Sequence, residues 1–176
     1  TQRALREVRE FHRRTGRKLH EGVWLGFSAE NQKAFDFRIK DSLQMGRHAE
    51  GHLWVSYEPA LGPIDFTEGL VPAKSGRPVL TWGVCGGESG REARDFHLEW
   101  GEDFIRQFLK ANAYPFMKQT GVNAWRTSTQ GLLIPGAPAK PEPYKVTKKG
   151  GDMNEWPDSL RVRMFPPGSE PQAELF

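Results

Sequence analysis

The sequence predicts an α/β fold built on parallel strands, and three observations carry that reading. Four β-prone apolar runs begin about 25 to 35 residues apart. Apolar residues at helical spacing fill two of the three gaps between them. Each run closes on polar side chains, the arrangement expected where a parallel sheet offers its strand ends to a ligand. Strands that alternate with helices need crossover connections, and these are right-handed.

Residues 1–18 open the chain with Arg3, Arg6, Arg9, Arg13, Arg14, Arg17 and Lys18. Leu5, Val8 and Phe11 recur among them at helical spacing, so this stretch reads as an amphipathic basic helix. Its cationic side suits phosphate. Glu7, Glu10 and Glu21 dilute the charge, however, which favours a plainly solvated face. Val23 to Ser28 is apolar and β-prone, and residues 30–45 then put Phe35, Ile39 and Leu43 on one helical face. His52 to Glu58 is a second strand, halted by Pro59. Residues 59–78 carry Pro63, Pro72, Gly62, Gly69 and Gly76 between two further prolines and read as a long loop. Pro78 to Glu88 is the third strand: an apolar run collapses into Gly86-Gly87 and ends on Glu88 and Ser89. Residues 97–112 form a helix with Trp100, Phe104, Phe108 and Leu109 inward, and Tyr114 to Gln119 is a short fourth strand.

Beyond residue 120 the alternation stops. Residues 131–143 hold Pro135, Pro138, Pro141 and Pro143 and read as an extended linker. Lys145 to Lys149 is basic, and Gly150 to Pro157 reads as a turn leading to an anchoring aromatic, Trp156. The closing residues read as a mobile tail. The expected organisation is an α/β domain with its basic helix over 1–130, and a linker and tail packing on it over 131–176.

A chain of 176 residues suits one domain with a substantial core. The net charge of +3 permits an anionic partner without requiring one. Cys85 is the single cysteine, which excludes an intramolecular disulfide and a multi-cysteine metal site and suits a reducing compartment. No apolar run approaches the roughly 18 residues of a membrane span, and the basic, polar start is no signal peptide.

The four strand ends carry Ser28 with Glu30 and Asn31, then Glu58, then Glu88 with Ser89, then Lys118 with Gln119. A lysine facing Glu58 and Glu88 shifts the proton affinity of all three groups, which serves proton transfer. The same residues suit an amino acid or a nucleoside held by charge and hydrogen bonds. A structural ion pair of Lys118 with either glutamate is the competing reading. Gly86 and Gly87, without Cβ atoms, let backbone approach a ligand. Other chemistries lack their patterns. Gly83, Gly86, Gly87 and Gly90 form neither a dinucleotide fingerprint nor a P-loop. His12, His20, His48, His52 and His97 show no paired metal spacing, and there is no nucleophile elbow. Cys85, inside an apolar strand, reads as a buried small hydrophobe. Trp125 and Trp156 suit stacking on a base, but packing is the commoner use.

Five ordered stretches resemble one family. They are Val23 to Gln32, Ser56 to Asp65, Gly86 to Trp100 (with Gly86-Gly87-Glu88-Ser89-Gly90, Ala93-Arg94 and Glu99-Trp100), Pro115 to Gln119, and Lys148 to Pro157. Together they are similar to a phage-associated, radical-SAM-like family with a three-cysteine motif, for which no substrate is established. The resemblance implies a partial (βα) barrel of the radical-SAM type, with strand-end residues around S-adenosylmethionine (SAM) and a substrate. It casts Glu58, Glu88 and Lys118 as catalytic, Gly86, Gly87, Glu88 and Ser89 as cofactor-binding, and Ser28, Asn31, Gln119 and Arg94 as substrate-binding. A [4Fe–4S] cluster needs thiolates that one strand cysteine does not supply, so another segment or chain must bring them. The chain then stands as the C-terminal half of such an enzyme, completed by a missing N-terminal half or by a second copy. The phage setting and the basic surface imply a nucleotide or nucleic-acid substrate and the cytoplasm of an infected or lysogenic bacterial host. Two other readings stay open. One is a non-catalytic protein that binds nucleic acid through Arg3 to Lys18 and Lys145 to Lys149. The other is a truncated remnant without activity, whose open sheet edges promote association.

Overall fold

The computed structural model describes residues 2–73, 76–127, 140–147 and 149–168. Residues 131–139 of the expected linker, Lys148 and the tail from residue 169 lie outside the described residues. The basic helix α1 (Gln2–Thr15) precedes β1 (Leu25–Ser28), α2 (Gln32–Gly46), β2 (Leu53–Tyr57), α3 (Thr67–Leu70) and β3 (Leu80–Gly86). Then follow β4 (Phe96–His97), α4 (Leu98–Lys110), β5 (Tyr114–Gln119), β6 (Ala124–Thr127) and β7 (Pro141–Tyr144). The main sheet is four-stranded and parallel, in the order β1-β2-β3-β5. A second sheet joins β4 to β6 in parallel and β6 to β7 antiparallel. The fold is mixed α/β, and no barrel is closed among the described residues.

Alternation along the strands sends one set of side chains toward the helices. Phe27 of β1 meets Phe35 of α2, with ring centroids 6.1 Å apart. Gly83 of β3 lies so close to α4 that a Cβ there would fall 2.6 Å from Phe108 Cζ and 2.7 Å from Phe104 Cε2. Phe66, fully buried, sits at the centre of this layer. Its ring is 5.1 Å from Phe35, 5.6 Å from Tyr57, 5.7 Å from Phe104 and 5.4 Å from Phe108. All four contacts are near-perpendicular edge packings, the geometry that aromatic quadrupoles favour.

The opposite face is also aromatic. The Trp54 indole lies over Gly26, where a Cβ would come within 2.5 Å of its Nε1. Trp82 stands 5.3 Å from Trp54 and 5.4 Å from Trp24. The segment after Leu160 then returns along the free edge of β5. The Met117 N–H donates to the Val162 carbonyl at 2.8 Å, and the Met164 N–H donates to the Pro115 carbonyl at 2.9 Å. Phe165 thereby stacks on Trp82.

The four expected strands and the three long helices form within a few residues of their expected limits. The differences have physical reasons. Leu109 is 45% exposed rather than inward, because it lies about 100° around α4 from the buried Phe108. The buried row of α4 is Leu98, Gly101, Phe104, Ile105 and Phe108. In α2, Leu43 is only half-buried, while Ser42 and Met45 are buried. The stretch 59–78 is no bare loop, since it contains α3 and delivers Phe66 to the core. Trp156 is buried, and its Nε1 donates to the Gly150 carbonyl at 2.9 Å, so it packs and is not available for base stacking.

Phe66→Ala is expected to lower unfolding free energy by about 3–5 kcal/mol, the usual cost of emptying a buried phenylalanine site. Leu109→Ala is expected to stay within about 1 kcal/mol. Urea denaturation of the two variants measures the contrast.

Candidate functional site

The carboxyl ends of β2, β3 and β5 bring three of the expected residues together. Glu58 follows β2, Gly86 ends β3 and Lys118 lies near the end of β5. The Lys118 Nζ is 3.1 Å from Glu58 Oε1. The Glu58 carboxylate rests over Gly86, where a Cβ would fall 2.6 Å from Oε1. At Gly87 a Cβ would run into the Thr120 carbonyl and come within 2.9 Å of Phe96 Cβ. Both glycines are buried. The groups that approach them closely belong to the protein, which corrects the expectation that their bare backbone faces a ligand. Gln119 is committed in the same way: its Nε2 donates to the Gly87 carbonyl at 2.8 Å.

Glu88 does not share Lys118 with Glu58. Its partner is Arg94, whose Nε and backbone N–H each donate to Oε2 at 2.9 Å, while Nη2 donates to Oε1. The Arg94 guanidinium and these hydrogen bonds pull the Glu88 carboxyl down to about 2. The loop from Glu88 to Ala93 borders an open hollow of about 480 Å³, with Ser89, Gly90, Arg91 and Glu92 exposed along it. The backbone fixes where Glu88 starts, because the Val122 N–H donates to its carbonyl at 2.9 Å.

On the β1 side, Ser28 is exposed and lies in register with Ser56. The Arg38 Nη1 donates to the Ser28 carbonyl at 2.7 Å and pairs with Glu30 at 3.1 Å. Asn31 caps α2: its Oδ1 accepts from the Ala34 N–H at 3.0 Å. That bond satisfies one of the orphan donors of the helix start, so this oxygen serves the fold. Among the expected contact residues, Ser28 and Ser89 are exposed, whereas Asn31, Gln119 and Arg94 already hold partners within the chain.

Cys85 is fully buried, and burial together with the nearby Glu58 charge pushes its thiol up. A buried, protonated thiol suits packing and not ligation. Among the described residues no group of three His, Cys, Asp or Glu side chains gathers around a point that would hold a metal. This donor set does not fit an iron–sulfur cluster.

Three site residues escaped the sequence reading. Ser56 could have been found, since it alternates with Trp54 and Glu58 on one face of β2. Arg38 offers only a helical position. Arg163 leaves no local signal at all: it donates to the carbonyls of Met117 at 2.9 Å and Lys118 at 2.8 Å, and its guanidinium lies 5.4 Å from the Phe116 ring and 5.2 Å from that of Trp156. It clasps the stretch of β5 that carries Lys118, and burial lowers its proton affinity.

Over residues 1–156 the chain matches a family model described as "Protein of unknown function (DUF5131)", and it belongs to that family. The match brings with it no link to phage proteins or to radical-SAM chemistry. No curated protein and no solved structure matches the chain. Among the described residues no helix is long and apolar enough to cross a membrane.

Arg94→Ala is expected to release the Glu88 carboxyl from about 2 toward its ordinary value of 4.5. Carboxyl-carbon NMR titration reads that shift directly. The sign follows from linkage: a carboxyl depressed in the folded state stabilises above its unfolded value and loses that contribution as pH falls toward about 2. In Arg94→Ala the pH dependence between those two values should therefore flatten. Gly86→Ala is expected to push Glu58 off Lys118 and to cost about 1–3 kcal/mol, measured by urea denaturation.

Proposed function

We propose that this chain is the ligand-holding part of a radical-SAM-like, phage-associated enzyme that acts on a nucleotide or nucleic acid. One observation carries the reading. Two carboxylate–cation pairs, Glu58 with Lys118 and Glu88 with Arg94, stand at the carboxyl ends of a parallel sheet whose strands follow chain order. Chain-ordered parallel strands are the order of a (βα) barrel segment, and active sites of such barrels lie at this end. A ligand with both an ammonium and a carboxylate can replace an ion pair without any net change of buried charge. The methionyl end of SAM is such a zwitterion.

In this reading Glu88, kept ionised by Arg94, receives the ammonium, and Arg94 or Lys118 receives the carboxylate. Ser89 and the exposed backbone of Gly90 line the approach. Glu58 and Lys118 supply charge and a proton-holding pair to the substrate, and Ser28 and Ser56 add hydroxyl groups on the same face. Bound SAM would supply an activated carbon–sulfur bond. The chain offers no donor set for a [4Fe–4S] cluster, so no step is assigned to one, and such a cluster would come from another segment or chain.

The test is equilibrium dialysis of the chain against radiolabelled SAM. Saturable binding at one site is expected. Glu88→Gln and Lys118→Met should each weaken it by about tenfold or more, the usual effect of deleting one charge-assisted hydrogen bond. Absence of saturable binding, or equal affinity in both variants, would remove SAM from the reading.

A further inference from the structure

Residues 2–18 hold seven of the 25 Lys and Arg residues of the chain but only two of its 22 Asp and Glu residues. The rest of the chain has more acids than bases, so the whole positive excess of the protein sits in this short segment. The structure shows how the charge is displayed. Leu5 and Val8 are buried and Arg9 donates to Gln44 of α2, while Arg3, Arg6, Arg13 and Arg14 are exposed on the rest of the helix. The two acids are used locally: Glu10 accepts from Arg13 at 2.7 Å and 3.0 Å, and Glu7 lies 3.7 Å from Arg6. The acids thus offset Arg6 and Arg13 and leave the other cations of the segment without a carboxylate among the described residues. Among the described residues, Arg3, Arg14, Arg17 and Lys18 have no carboxylate partner, and neither does Arg47 at the end of α2. The neighbouring His48 loses proton affinity through burial and through the positive charges of His12, Arg9 and Lys18.

We infer that the outer face of α1, extended by Arg17, Lys18 and Arg47, is a docking surface for the phosphate backbone of a nucleic acid. The cations are strung along a helix about 21 Å long and do not converge on one point, which fits a linear polyanion and not a single phosphate. The face is almost all arginine, whose planar fork grips phosphate oxygens in pairs. It carries no exposed large apolar side chain to enter a bilayer: those of the described residues are Val23, Phe37, Val71, Leu109, Val122 and Met164, none of them on α1. The surface is also remote from the strand-end site. His12 lies beside His48 with ring centroids 4.9 Å apart, and Leu19 bridges to Ala49, both just before β2 begins. The inference thus stands independently of SAM binding, and the two measurements fail separately.

The experiment follows fluorescence anisotropy of a labelled 24-base-pair DNA duplex with the whole chain as KCl rises from 50 to 200 mM. Binding through about five phosphates gives a log–log slope of about −4.5. A variant carrying Arg3→Gln, Arg14→Gln, Arg17→Gln and Lys18→Gln should lose about 3.6 units of that slope and at least about tenfold in affinity at 50 mM. These side chains are exposed, so its urea midpoint should match the parent. A Lys33→Gln, Lys110→Gln control should bind within about twofold of the parent, since both lysines lie off this face. An undetectable interaction at 50 mM, or a slope unchanged in the four-site variant, overturns the inference. So does tighter binding to phosphatidylserine vesicles or to polyglutamate than to the duplex.

Discussion

Three missing side chains, two on β3 and one just after it, set what the rest of the molecule can do. Gly83 admits the Phe104 and Phe108 rings of α4 on one face, Gly86 admits the Glu58 carboxylate on the other, and Gly87 admits the Thr120 carbonyl at the strand end. Glycine inside a strand costs about 0.5–1 kcal/mol relative to alanine. At Gly83 that cost is offset by bringing α4 flush against the sheet, where Phe66 can touch rings from two helices and from β2. At Gly86 and Gly87 the gain is positional. The Thr120 backbone just after β5 and the Glu58 side chain just after β2 close over the end of β3, so the polar ends of three strands meet at one place.

That place holds its charges loosely. The side chain of Glu58 is 20% exposed and that of Lys118 55%; Glu88 is 26% exposed and Arg94 59%. Ion pairs with one arm this open contribute little to stability, typically about 0–1 kcal/mol. Stability therefore does not account for two such pairs at one strand mouth. Each cation can turn away from its carboxylate at small cost. Arg163 differs from them. Fixed on main-chain carbonyls and stacked between two rings, it holds the β5 backbone in place while the Lys118 side chain remains free to turn.

The parallel sheet was legible because its strands are apolar, flanked by breakers and spaced for crossovers. The same reasoning failed where contacts, and not periodicity, decide. Phe66 lies among prolines and glycines, and nothing local marks it as the centre of a core. Leu109 continues an apolar run but turns away, since one residue is a large step around a helix. β4, β6 and β7 are short, and two prolines in β7 argue against a strand until its exposed antiparallel position beside β6 is known. The polar strand ends were visible as residue types, but their partners were not. Asn31 caps its own helix, Gln119 binds a carbonyl, and Glu88 takes Arg94 six residues on in place of a lysine from another strand. Asn31 and Glu88 find partners within six residues, whereas the carbonyl that Gln119 binds lies 32 residues away and only the fold brings it near.

The two edges of the main sheet are unequal, and this bears on the partial-barrel reading. The outer edge of β5 is closed by the returning segment that pairs Val162 and Met164 with it. The outer edge of β1 has no strand beside it among the described residues. Among the described residues, β1 is therefore the edge of the main sheet left open to a further strand. β1 is also only four residues long, and short edge strands are one way that proteins limit unwanted pairing. A remnant that associates indiscriminately needs the opposite, a long and apolar edge. The geometry of β1 therefore does not offer the long apolar edge that loose self-association needs.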